Sequence, residues 1–368
     1  MVKRSLFLSP FIMIWLATGG TLANAAFEQP LVAPSGYAHS AYAEPPRVFN
    51  CSKGPTPFTS ELLFSSRYEG DDGGTRSQVN KVAEQRYLEA IKDIRALETF
   101  ARQMGDAFSN RDALGARRCY FATLEDWANQ HALLHESVNH VGEAMRKWAL
   151  ASIASNYLKM KSSSEDLPEF ELAQEKTIEN WLVQLSDEVQ EFYSDRPYKQ
   201  VNNHDYWAGF SVMLVSIIVN DEQAFQWSLK KFQEGLDHID AEGYLVNEMK
   251  RGALALKYQN FAIQPLVMMA ALAKANDSLN SAQMERLSKA IDALAIGIEA
   301  PQVFSSKTGF PQNTESLRKG YSLAWVPVWQ SIHGEADLSS LDLIVEGSYA
   351  STRMGGDMDR LFRPPTDE

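Results

Sequence analysis

Asn202-Asn203-His204-Asp205-Tyr206-Trp207 is followed about fifty residues later by Lys250-Arg251 and then Tyr258. Between them these stretches supply a proton acceptor, a phenol, two amides and two cations. A hydrophobic core needs little of this. The set suits one kind of chemistry: hold a carboxylate, take a proton from the carbon beside it, and return a proton to a leaving oxygen.

Each member has a plainer reading on its own. His204 is one of seven histidines, and a lone histidine is commonly a hydrogen-bonded helix-start residue. Here it follows a proline-broken loop and two asparagines and precedes the apolar run 206–219. That places it near a helix N-terminus, where backbone N–H groups favour anions. His140, after Asn139, occupies a similar position and reads better as structural. Arg251 and Tyr258 are seven residues apart, two helical turns, so both should project from nearly one face. A guanidinium clamps a carboxylate with two parallel hydrogen bonds, which a lysine cannot match. A phenol beside such cations should have its pKa lowered; taken alone, Tyr258 is an ordinary core aromatic. Arg67-Tyr68 stands at the base of an Asp71-Asp72-Gly73-Gly74 loop. The pair fits either a lid over a charged ligand or a solvated loop before a helix.

Other catalytic patterns are missing. The sequence contains no Gly-x-Ser-x-Gly elbow, P-loop, Gly-x-Gly-x-x-Gly or His-Glu-x-x-His. The histidines are too scattered for a zinc cluster, so no metal or cofactor is expected. Asp71-Asp72 could hold calcium, but a lid explains them equally. Carboxylate pairs for glycoside hydrolysis are always available among 47 acidic residues.

The elements that must position these groups are helices. From Ser77, read as an N-cap, Val79, Val82, Tyr87, Ile91, Ile94, Leu97, Ala101 and Met104 recur at helical spacing. Similar periodicity runs through 119–134, 139–160, 168–193, 205–219, 222–239, 253–275 and 281–299, with breaks at Gly115, 162–164, Pro197, 220–221, Gly243 and 276–277. Strand alternation is nowhere sustained, which predicts an all-α fold of helices paired as antiparallel hairpins and curled into a ring or arch. The concave face of such an array is a groove for a chain-like ligand. No repeat period is visible, which disfavours a helical-repeat solenoid. Residues 301–320 and 334–368 look irregular around one further apolar piece, 321–332. With 368 residues, 45% of them hydrophobic, one large domain over 61–368 is expected, preceded by a proline-rich extended lead-in over 26–60.

A net charge of −12 and a pI near 5.2 exclude a general nucleic-acid binder, although a few cations converging in one cleft can still hold a polyanion. Residues 1–25 read as a secretory signal. Lys3 and Arg4 precede an apolar run too short to span a bilayer, and Ala23-Asn24-Ala25 supplies the cleavage pattern. Export to the periplasm with no membrane anchor after cleavage is the expectation. In an oxidising compartment Cys51 and Cys119 most simply form one disulfide, tying the lead-in to the second long helix; two buried free thiols are the alternative.

At this point the chain resembles the alginate lyases of polysaccharide lyase family five. The segments that carry the resemblance are Ser66-Arg67-Tyr68-Glu69-Gly70, Met145-Arg146-Lys147-Trp148-Ala149-Leu150, Asn202 to Trp207, Asn247-Glu248-Met249-Lys250-Arg251 with Tyr258, and Arg353-Met354-Gly355-Gly356, in one order over about 50–362. The resemblance implies an incomplete (α/α) toroid with a deep cleft, acting on mannuronate-rich alginate by β-elimination without a metal. It assigns Tyr258 as the acid for the leaving O4 and as a possible acceptor of the C5 proton, and His204 as the base or as a partner in neutralising the carboxylate. Asn203 and Arg251 are to hold that carboxylate. Arg67, Tyr68, Trp148, Asn202, Trp207, Lys250 and Arg353 are the candidate substrate-binding residues. Arg67 stands where some members carry lysine. Asp205 stands where a small polar residue is expected, and an acid there should raise the pKa of His204.

Two further readings come from other classes: a non-catalytic binding or scaffold protein of the alginate export complex, and a hydrolase on a similar toroid. A pure binder has use for the cations but none for a phenol acid.

Overall fold

The computed structural model describes residues 29–37, 50–51, 53–68, 76, 78–109, 113–161, 169–334 and 338–363. The leader (1–25) and the Asp71–Gly74 loop lie outside the described residues. The helices are α1 (Lys81–Ala90), α2 (Lys92–Ser109), α3 (Ala113–Asn129), α4 (His140–Lys161), α5 (Glu169–Tyr193), α6 (Asn203–Val219), α7 (Glu222–Asp237), α8 (Ala255–Ala275), α9 (Ser281–Glu299), α10 (Gln302–Thr308), α11 (Trp325–His333), α12 (Ser339–Ile344) and α13 (Met358–Phe362). Among the described residues the only sheet is a two-residue antiparallel pair, β1 (Ala350–Ser351) and β2 (Gly356–Asp357). No described helix is long and apolar enough to cross a membrane.

The helices form a toroid of two rows. The inner row runs α2, α4, α6, α8, α11, each packed on the next, while α3, α5, α7 and α9 lie outside it. The patterns follow this arrangement. On α6, Val212, Met213, Leu214, Val215, Ile217 and Ile218 are all buried, as expected of a helix enclosed on every side. By contrast α7 buries a stripe including Phe225, Phe232 and Leu236 and, apart from the buried Lys231, leaves its charged residues at least partly exposed. The chain end then joins the two ends of the row: α13 packs on α11 and β1, and β2 packs on α2. Gly355 and Gly356 make the turn between the strands at φ of 110° and 104°, a region side chains avoid. A Cβ on Gly356 would fall 2.1 Å from Asp106 Oδ1, so the turn can sit this close to α2 only as glycine.

Several sequence expectations change in detail. The first helical stretch is two helices parted at Ile91, and the cap is Asn80, whose Oδ1 accepts from the N–H groups of Val82 and Ala83. Gly115 lies inside α3 rather than ending a helix. Cys51 and Cys119 are bonded, 68 residues apart, and Cys119 sits on the third helix. Described parts of the lead-in lie along the helices: Leu31 N–H donates to Asn220 Oδ1 at 2.8 Å, and Trp127 Nε1 to the Pro55 carbonyl at 2.9 Å.

Candidate active site

Three inner-row elements bring the chemical groups together. The first is the start of α6. Asn202 is its N-cap, its Oδ1 accepting from the His204 N–H at 2.9 Å, while Asp205 Oδ2 accepts from the Asn202 N–H at 2.9 Å. This reciprocal cap is worth about 1 kcal/mol. Its consequence is that Asn202, expected to bind substrate, spends its carbonyl on the helix and its Nδ2 on the Gln200 carbonyl. Asp205 is fully buried and its Oδ2 lies 2.8 Å from Arg196. The carboxylate therefore belongs to the cap and to Arg196, and the expected rise in the His204 pKa does not occur. His204 is instead held well below the usual imidazole range, by burial first and then by Lys147, His140, Arg196 and Arg251.

The second element is α4. Lys147 is fully buried and its Nζ lies 2.9 Å from His204 Nδ1 and 3.0 Å from the Tyr193 hydroxyl. Trp148 stands 5.4 Å from the His204 ring, with the Arg353 guanidinium 4.1 Å above its face. Arg353 comes from the turn between β1 and β2, and its Nε donates to Glu98 Oε1 at 3.3 Å. His140 begins α4, its ring 5.5 Å from that of His204.

The third element leads into α8. Arg251 and Tyr258 do not share a continuous helix: Met249–Leu254 is a 3₁₀ stretch broken at Gly252, whose φ of 56° and ψ of −117° are open to glycine alone. The two side chains meet nonetheless, because the break folds the Arg251 guanidinium onto the Tyr258 ring, 3.6 Å from its centre. Tyr68 completes the group, its hydroxyl 3.0 Å from that of Tyr258. Arg251 also donates to the Arg76 carbonyl at 2.6 Å. Tyr68 and Arg76 flank the Asp-Gly loop, so both of its described ends meet at Arg251 and Tyr258. The Tyr258 phenol is raised, not lowered, because burial outweighs the Arg251 charge. Phe261, one turn beyond Tyr258, touches both Trp148 and Trp207 and links this group to the His204 side.

The remaining candidates are placed less directly. Asn203 is buried, and its Nδ2 lies 3.1 and 3.2 Å from the two carboxylate oxygens of Glu248, while its backbone N–H donates to Glu248 Oε1 at 2.7 Å. Its amide donors thus face a carboxylate of the protein itself, and its Oδ1 is buried without a partner. Burial pushes Glu248 up to about 7 against those hydrogen bonds. Trp207 is fully buried against Phe210 and Phe261 and supports the site from beneath instead of lining it. Lys250 is exposed and bonded to Asn247 Oδ1. Arg67 is exposed and paired with Glu84 at 3.3 Å. Sequence reasoning missed Lys147, Tyr193 and Glu248. Lys147 and Glu248 stand inside the segments that carry the resemblance; no signal marks Tyr193.

A folded ring of helices with a phenol, an imidazole and several cations at its inner face defines a class. The alginate lyase family model matches residues 65–304, and the chain belongs to the alginate lyase family. It is 34% identical over 336 residues to an alginate lyase of Azotobacter chroococcum mcd 1, covering 91% of this chain and 90% of that one. With an alginate lyase of Pseudomonas syringae pv. syringae it shares 33% over 364 residues, 96% of this chain and 92% of the relative. Among solved structures, alginate lyase A1-III of Sphingomonas species A1 matches with a TM-score of 0.71 at 23% identity, covering 87% and 89% of the two chains. A histidine-to-alanine variant of A1-III complexed with tetrasaccharide matches with a TM-score of 0.75 at 21% identity, covering 92% and 98%.

Proposed function

We propose that this lyase cleaves mannuronate-rich alginate by β-elimination and leaves an unsaturated 4-deoxy uronate at the new non-reducing end, acting in the periplasm after loss of residues 1–25. The observation that carries this reading is the Tyr258 hydroxyl, 3.0 Å from Tyr68 and under the Arg251 guanidinium.

The C5 proton of a uronate lies beside a carboxylate and is weakly acidic. It becomes removable when the charge developing on that carboxylate is neutralised by groups already in place. Arg251 offers a planar pair of donors, and Lys147 and Arg353 add positive charge in a largely water-excluded setting. As the C5–H bond breaks, its proton passes to His204 or to the Tyr258 oxygen, its electron pair forms the C4=C5 double bond, and the C4–O4 bond leaves with its own pair. O4 then needs a proton. A phenol whose pKa burial has raised holds its proton in the free enzyme and is suited to deliver it there. The cationic surroundings of His204 ease on arrival of the uronate carboxylate, so substrate binding itself draws the charges into balance.

Purified protein incubated with polymannuronate should generate the ultraviolet absorbance of the conjugated uronate together with new reducing ends. Reducing ends without absorbance would identify a hydrolase, and neither signal would identify a binding protein. Tyr258→Phe should lower kcat by about 10²–10⁴-fold with helical content unchanged; normal turnover by that variant would overturn the assignment. Protein recovered from the periplasm should begin at Ala26.

A further inference from the structure

Lys147 is sealed from solvent, and among the described residues no carboxylate lies within ion-pair distance of it. A methionine of similar length would fill the same space without burying a cation, which asks what the amine does. Its polar neighbours are His204 Nδ1 at 2.9 Å, the Tyr193 hydroxyl at 3.0 Å and the Ala144 carbonyl at 3.5 Å. The Trp148 face, 4.4 Å away, covers another side.

Only certain proton arrangements satisfy this cluster. As an ammonium, Lys147 has three N–H groups for three acceptors: Nδ1, the phenol oxygen and the carbonyl. As a neutral amine it has two N–H groups and one lone pair. Tyr193 is buried, and Lys147 is the one described hydrogen-bond partner of its hydroxyl. A buried phenol that must donate therefore donates to that lone pair, and the two N–H groups go to Nδ1 and the carbonyl. In both charge states Nδ1 accepts. The proton of a neutral His204 must then sit on Nε2.

We propose that Lys147, braced by Tyr193, is a positioning residue that fixes His204 as the Nε2–H tautomer, so that His204 presents a hydrogen-bond donor to the substrate carboxylate instead of a base to C5. This rests on the lyase reading above and decides a role which that reading left divided between two groups. Proton transfer then falls to the Tyr258 phenol, whose oxygen takes the C5 proton in concert with release of its own O–H proton to O4, so that it is a phenol before and after. The charged groups facing the pair are Arg353, Asp205, Arg196 and Glu143 on the lysine side, and His140, Arg196 and Arg251 on the imidazole side.

The test is nitrogen-15 NMR of histidine-labelled enzyme, with the His204 signal assigned by its loss in His204→Gln. Wild type at a pH where His204 is neutral should show protonated Nε2 and unprotonated Nδ1. The opposite pattern in wild type would overturn the proposal without any variant. In Lys147→Met the two tautomers should mix, the pH dependence of kcat should move as a neighbouring cation is lost, and kcat should fall on the order of 10²-fold. A folded Lys147→Met enzyme that kept a single Nε2–H tautomer and an unmoved pH profile would also sink it. The NMR pattern needs no substrate, so its failure is distinguishable from a failure of the lyase assignment, which the polymannuronate assay reads.

Discussion

Lys147 and Lys159 lie on the same helix, three turns apart, and both are essentially sealed from solvent. Their surroundings differ entirely. Lys159 points at the chain end: it bonds the Gly355 carbonyl, lies 3.3 Å from Asn156 Oδ1, and stands 4.0 Å from Asp106. It bolts the glycine turn and β2 to α2 and α4. Lys147 has an imidazole, a phenol and an indole face in place of a carboxylate. One buried amine is matched to charge and backbone and holds the ring together. The other has no carboxylate in ion-pair contact and stands beside the candidate catalytic histidine. Burial alone thus says little about what a cation does; its partners separate a fastening from a working group.

Substitution by methionine should split the two roles. Lys147→Met is expected to lower kcat on polymannuronate by about a hundredfold with only a small change in the urea midpoint, because removing a buried cation that has no carboxylate in contact offsets the loss of the Tyr193 hydroxyl's partner. Lys159→Met should do the reverse. Loss of its bonds takes a donor from the Gly355 carbonyl and from Asn156 Oδ1, at about 1–3 kcal/mol of stability by urea unfolding, with kcat altered only a few-fold. If both variants lost stability equally and activity equally, the contrast drawn here would be empty.

The pH dependence of stability sharpens the same comparison. Burial lowers the Lys159 pKa from 10.5 to about 8. Between those values the unfolded chain binds a proton that the folded chain does not, so this lysine makes stability rise with pH across about 8 to 10.5. Unfolding curves of wild type should show a gain on the order of 3 kcal/mol over that window which Lys159→Met lacks. Smaller still is the expected effect of Asn202→Ala. Loss of the cap should cost about 1 kcal/mol, and kcat should fall because the His204 backbone N–H loses the oxygen that holds it.

Much of the fold was legible because the inner helices announce themselves. Residues 139–160 and 205–219 emerge as the inner helices α4 and α6 nearly to the residue, and the amphipathic stretch 281–299 emerges likewise as the outer helix α9. The split at Ile91 was not legible, since the apolar spacing runs straight across it. The site was legible in membership more than in arrangement. His204, Arg251, Tyr258, Tyr68, Trp148 and Arg353 do converge, but Arg251 reaches Tyr258 through the break at Gly252 and not along a helical face. Both pKa expectations failed in direction for one reason. Sequence neighbours advertise charge, as Asp205 and Arg251 do, whereas desolvation depends on what the rest of the ring places overhead. Trp207 and Asn202 were read as binding groups because their types suit binding; a packed core and a helix cap use the same types.

Arg353 rides on the turn between β1 and β2, its guanidinium over the Trp148 face, and the same turn is held to α4 by Lys159. The stretch that joins the two ends of the row thus also supplies the site with one of its cations. Loosening that clasp would dilute the positive charge at the site in the same motion, so integrity of the ring and attraction for a polyanion rise and fall together.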